Sequence, residues 1–155
     1  MKSEIIYRES TSSRGRYGNK TISTIMVSSN FDNPVNWPFT VTIEIISEHM
    51  FSNESDVDTE NYRISKDAFF KIKQIIAENI EIASCSENIN NSVMDGSSES
   101  YYFSCDSFSK SIGGMSIYSI GYYEQQKPNN QKTDNYKVFV LVNKIKEILR
   151  NEGII

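Results

Sequence analysis

One histidine, two cysteines and three prolines are spread over 155 residues, and each shortage excludes something. With His49 as the only imidazole, a Ser-His-Asp or Cys-His arrangement has one possible base, and no nucleophile-elbow glycine pattern surrounds any serine. His49 follows a predicted strand and reads as a polar strand-end residue. Cys85 and Cys105 lack CxxC spacing, so a zinc site would need acids from distant segments, and a pair in a chain this long is not a disulfide framework. They read as free thiols. Phosphate-binding glycine motifs are missing too: Gly15-Arg16-Tyr17-Gly18 is neither GxGxxG nor a P-loop, and Gly113-Gly114 has no Lys-Ser or Lys-Thr after it. No cofactor and no catalytic residue is expected.

Long apolar runs are also lacking. No window reaches the roughly 18 apolar residues of a membrane span. The opening MKSEIIYRES puts Glu4, Arg8 and Glu9 where a secretory segment needs about 7–15 apolar residues. A cytoplasmic protein without membrane contact is expected.

Most informative is where positive charge is missing. Residues 21–62 contain no Lys or Arg but seven acids, Asp32, Glu44, Glu48, Glu54, Asp56, Asp58 and Glu60. Residues 74–109 contain none and six acids, among them Glu87, Asp95 and Glu99. The net charge of −4 therefore conceals 13 acids in two segments, against 16 basic and seven acidic residues elsewhere. If the acidic segments meet in space, they form a negative face that attracts basic partners and speeds their encounter.

What is present suits one folded domain over 1–155. Hydrophobic residues make up 38% and aromatics 12%, too apolar for a disordered chain. Glu4–Arg8 and Thr21–Val27 read as strands joined by a long polar loop. Phe39, Val41, Ile43 and Ile45 alternate with Thr40, Thr42 and Glu44 as a strand with one face on a core. Asn33–Pro38 is a connection, with Trp37 over the core edge. Ser65 is a natural N-cap with Asp67 in the first turn and an Ile64/Phe69 staple, and Phe69, Ile72, Ile76 and Ile80 stripe a helix over about 66–82. Residues 84–100 read as a long loop. Tyr101, Phe103 and Cys105 mark another strand, and Ile117–Tyr123 a further one after the Gly113-Gly114 break. Val138, Leu141, Val142, Ile145, Ile148 and Leu149 stripe a last helix with Gly153 beyond its end, although 138–142 also admits a strand. The expected fold is α+β in the order β-β-β-α-β-β-α: a mainly antiparallel sheet of about five strands with two helices on one face.

Three functions compete. The first is a non-catalytic protein-binding module whose acidic half docks on a basic partner, with Glu48, Glu54, Asp56, Asp58 and Glu60 as first contacts and Glu87, Asp95 and Glu99 as a second cluster. In size, acidity and absence of catalytic groups the chain is similar to bacterial toxin-immunity proteins as a class, which implies occlusion of a basic cleft such as a nuclease's. Tyr101, Tyr102, Tyr118, Tyr122 and Tyr123 beside Glu99, Asp106 and Glu124 would supply aromatic contacts if exposed. The second is a small carboxylate- or metal-dependent enzyme: Asp56, Asp58 and Glu60 have the spacing of the first ligands of a calcium loop. Asn61 stands where that loop wants glycine, and Asp67 where it wants glutamate, so no metal site is assigned. The third is a nucleic-acid module using the Arg14–Arg16 loop, where Arg8, Arg14, Arg16 and Lys20 flank Tyr7 and Tyr17; the acidic pI of about 5.1 opposes it.

Overall fold

The computed structural model describes every residue except 1, 16–17, 33–35, 50, 53 and 94–95. It is an α+β structure with a seven-stranded mixed sheet. The strands are β1 (Glu4–Arg14), β2 (Lys20–Ser29), β3 (Phe39–Glu48), β4 (Ser55–Arg63), β5 (Asn88–Ile89), β6 (Ser98–Ser104) and β7 (Ser109–Met115). The helices are α1 (Lys66–Glu78), α2 (Ile117–Glu124) and α3 (Asp134–Asn151). The sheet order is β4-β3-β2-β1-β6-β7-β5, antiparallel except for the short parallel pair β5–β7. The buried side chains of the strands, including Tyr7, Val27, Phe39, Val41, Tyr101, Phe103 and Ile112, share one face. Against them lie Phe69, Ile72 and Ile76 of α1 and Val138, Leu141, Val142, Ile145 and Leu149 of α3, so burial of one face holds sheet and helices together. The other face is rich in hydroxyls paired across strands, as in Ser10 with Thr24 (3.3 Å) and Ser28 with Thr40 (3.4 Å).

Several expectations hold. The Ser65 hydroxyl accepts from the Ala68 N–H at 3.0 Å and starts α1, with Ile64 and Phe69 both buried. Trp37 lies edge-on to Phe39 and donates its indole N–H to the Ile64 carbonyl at 2.7 Å. Residues 138–142 are helix, and the whole expected stripe of α3 is buried. Gly153, at φ +75, lets the chain close a Schellman motif: its N–H reaches the Arg150 carbonyl at 2.9 Å and the Ile154 N–H reaches that of Leu149 at 3.0 Å.

Other expectations are corrected. The described residues form seven strands and three α-helices rather than about five and two. The polar stretch before α1 contains β4, which has no apolar period because eight of its nine residues are exposed; its order comes from continuous pairing with β3, from Thr40↔Arg63 to Glu48↔Ser55. The first hairpin is longer than read, since the Ser/Thr run of β1 pairs with both β2 and β6. The loop read over 84–100 holds the end of a 3₁₀ turn, β5 and the start of β6. Helix α1 ends at Glu78, leaving Ile80 in that 3₁₀ turn and 67% exposed.

The aromatic run 117–123, read as a strand, is α2. Tertiary packing decides this: Gly121 meets α3 so closely that a Cβ there would stand 2.4 Å from the Asn135 carbonyl oxygen and 2.5 Å from Phe139 Cβ. The second late strand is β7 instead, and Gly113-Gly114 lies inside it rather than breaking it. A Cβ on Gly114 would come within 2.4 Å of the Ile89 carbonyl oxygen, so the glycine admits β5 alongside.

Candidate functional site

Strand alternation carries β3 out of the core. Phe39 and Val41 are buried, Ile43 is half-buried, and Ile45, on the same face, is 41% exposed. The end of the β3–β4 hairpin, with β2 still alongside as far as Lys20↔Glu48, thus runs past the core as an arm of the sheet. Register with β4 sets Glu60 opposite Ile43, Asp58 opposite Ile45 and Asp56 opposite Ser47, so all three acids line the helix side of the arm. On its other side Ile22, Ile46 and Val57 stand in one row across β2, β3 and β4, with Val57 59% exposed. Glu44 and Glu48 share that side. Glu54 is exposed just ahead of β4, and Phe51, in the connection between the strands, is 92% exposed. Apolar side chains surrounded by acids therefore occupy both faces of the arm's end.

His49 behaves as read, a strand-end residue whose Nε2 lies 3.1 Å from Asp56 Oδ2, both side chains well exposed. An extended backbone spaces alternate carboxylates by about 7 Å, so Asp56, Asp58 and Glu60 stand in a row rather than around a point. Among the described residues, no group of three or more His, Cys, Asp or Glu side chains gathers as a metal set.

The first cluster lies at one end of the β3–β4 hairpin, with Asp56, Asp58 and Glu60 on one face and Glu48 on the other, and the second cluster is not gathered. Glu87 is exposed beside β5, at the opposite edge, roughly 29 Å from β4 at about 4.8 Å per strand. Glu99 is not on the surface at all: it is 6% exposed, and its Oε1 accepts the Tyr101 hydroxyl at 2.5 Å and the Tyr118 N–H at 3.1 Å. Asp95 lies outside the described residues. Glu124, read beside exposed tyrosines, is 3% exposed and accepts from the Thr133 N–H at 2.7 Å and hydroxyl at 2.6 Å. Tyr122 and Tyr123 are exposed, whereas Tyr101 is buried. Of the basic loop, Arg14 pairs with Lys20, which itself faces Glu48, while Arg16 lies outside the described residues.

Sequence reasoning missed a buried polar network over the middle of the sheet. Glu9 is 7% exposed, with Lys146 Nζ 3.3 Å from its Oε1. Burial raises the Glu9 carboxyl above its ordinary value of 4.5, against the opposing pull of Lys146. Tyr7 beside it is fully buried, and burial together with the Glu9 charge raises its hydroxyl. Lys146 also lies over the Tyr118 ring at 5.3 Å, and the Tyr118 hydroxyl donates to Asn143 at 2.5 Å. The alternation of Tyr7 with Glu9 and of Glu99 with Tyr101 was the available signal, since each acid shares a face with a core aromatic. A second ion cluster lies in a cleft of roughly 290 Å³ lined by Phe31, Phe69, Phe70 and Cys105, where Lys73 bridges Glu4 at 2.6 Å and Asp106 at 2.7 Å. Burial lowers the Lys73 ammonium, but its hydrogen bonds to Asp106 and Glu4 outweigh this and raise it.

No helix among the described residues is long and apolar enough to cross a membrane. No protein-family model matches the chain, and no curated protein matches it.

Proposed function

We propose that this chain is a non-catalytic binding protein that holds a basic protein partner through the β3–β4 arm. The observation that carries the reading is the row Asp56, Asp58 and Glu60 on a strand with eight of nine residues exposed, with Phe51 and Val57 open beside it. Exposed aromatic and aliphatic anchors surrounded by charge fit a protein interface, where the apolar centre supplies affinity and the charges set approach and partner choice. A nuclease toxin is one partner of this kind; by covering its phosphate-binding cleft the chain would act as an immunity protein in the cytoplasm. Glu48 and Glu54 belong to the contact surface, and Glu87 lies too far off to share it.

The test is a pull-down at low salt from native lysate with the wild-type chain and with Asp56→Asn/Asp58→Asn/Glu60→Gln. A basic protein held by the first, released by salt and lost from the second supports the reading. Equal capture by both removes it.

A second reading, an enzyme working through carboxylates, draws on Glu9 and Glu99 rather than Asp56 and Asp58, because the Glu9 carboxyl is buried beside the buried Tyr7 hydroxyl with Lys146 Nζ 3.3 Å away. It predicts that Glu9→Gln abolishes an activity while leaving partner capture intact.

A further inference from the structure

We infer that the free edge of β4 takes an extended basic segment of the partner as an added strand, continuing the sheet. This rests on the binding reading above and specifies how the arm engages. One edge of β4 is paired along its length with β3, in unbroken register over nine residue pairs. Among the described residues the other has no strand beside it, since β4 ends the sheet. Its outward N–H and C=O groups form a row of hydrogen-bonding sites.

Edge strands are commonly blunted by shortness, proline, a bulge or a covering element. At nine residues β4 is longer than the usual five or six, carries no proline, shows no register shift and is exposed on both faces. Charge alone guards it. A second copy of this chain pairing antiparallel on the edge would bring Asp56, Asp58 and Glu60 against their counterparts on one face, and like charges in facing positions repel. The same row favours a strand with Lys or Arg at alternate positions. Residues between those would meet Val57 and Thr59 on the other face, where apolar or β-branched side chains fit. Charge complementarity thus disfavours self-pairing and favours a basic strand.

The experiment uses the intact chain and a nine-residue peptide of alternating Lys and Thr, titrated at low salt. A control peptide has the same sequence with every backbone amide N-methylated, so its charge is kept and its donors are lost. The expected result is binding of the first, slowed amide exchange in residues 55–63, and affinity for the control lower by about tenfold or more. Equal affinity for both peptides would overturn edge pairing and leave the acidic surface in place. Equal affinity of the first peptide for the wild-type chain and the Asp56→Asn/Asp58→Asn/Glu60→Gln variant would overturn the binding reading itself. No binding of the first peptide, with exchange unchanged, would overturn the inference.

Discussion

Glu152 Oε1 accepts both the backbone N–H of Ser65, at 2.8 Å, and its hydroxyl, at 2.7 Å, so the end of α3 is fastened to the start of α1. The same Ser65 hydroxyl caps α1 through the Ala68 N–H. One serine therefore serves a helix start and a contact 87 residues away in sequence. Ser65→Ala should cost about 0.5–2 kcal/mol, the usual range for a lost N-cap, with Glu152→Ala costing less when added to it than when made alone. Urea denaturation of the two single variants and the double variant measures this; additive losses would show the two roles to be independent.

The two shifted carboxyls should tilt stability in opposite directions with pH. Hydrogen bonds from the Ser65 hydroxyl and backbone hold Glu152 below its ordinary 4.5, so its contribution is present above that value and lost as pH falls. Glu9 is raised above 4.5 by burial, so the native state keeps a proton that the unfolded chain has released; stability falls as pH rises from 4.5 through the folded value. Glu152→Gln should flatten the acid limb of a melting-temperature profile, and Glu9→Gln the limb above 4.5. A profile unchanged by Glu9→Gln would mean the carboxyl titrates normally.

Legibility in the sequence followed burial. Where one face of an element is buried along its length, as in α3, periodicity located it residue by residue; β4 has no buried face and so left no periodic trace. The acids were legible as a charge pattern, but their placement depended on strand order. That order put Asp56, Asp58 and Glu60 together, Glu87 at the far edge and Glu99 indoors. Residues 117–123 misled because aromatic and β-branched side chains favour strands only when a neighbouring strand is there to pair, and here α3 is the neighbour, at the contact Gly121 permits.

That contact should tolerate no side chain. Gly121→Ala places a Cβ against α3 backbone and Phe139 Cβ, neither of which is the far end of a flexible chain, and should cost about 1–3 kcal/mol in chemical denaturation. Ser119, two residues away and exposed, is the control: Ser119→Ala should fall within about 0.5 kcal/mol of wild type. Similar losses at both would place the effect in the helix rather than in its packing.

Both cysteines are free and buried, and burial followed by the Asp134 charge pushes the Cys85 thiol up to about 11. The thiolate is the reactive form, so native Cys85 should resist iodoacetamide at pH 8 and become labelled only on unfolding. Mass spectrometry of the alkylated chain with and without denaturant reads this out; rapid native labelling would mean that the segment around Cys85 opens readily.

The acids of β4 should also govern association of the chain with itself. Asp56→Asn/Asp58→Asn/Glu60→Gln removes the like charges that would face one another in an edge-to-edge dimer but keeps the length and pairing of the strand. Val57 and Phe51 remain exposed beside the unguarded edge. Sedimentation velocity across a concentration series should show the variant associating more strongly than wild type, by about tenfold if each of the three facing pairs contributes a few tenths of a kcal/mol. Salt should reduce the difference, because screening relieves the wild-type repulsion that the variant no longer has. If the two sediment alike at every concentration, some feature of the arm other than charge keeps the edge free, and selection of a basic strand by this row loses its physical basis.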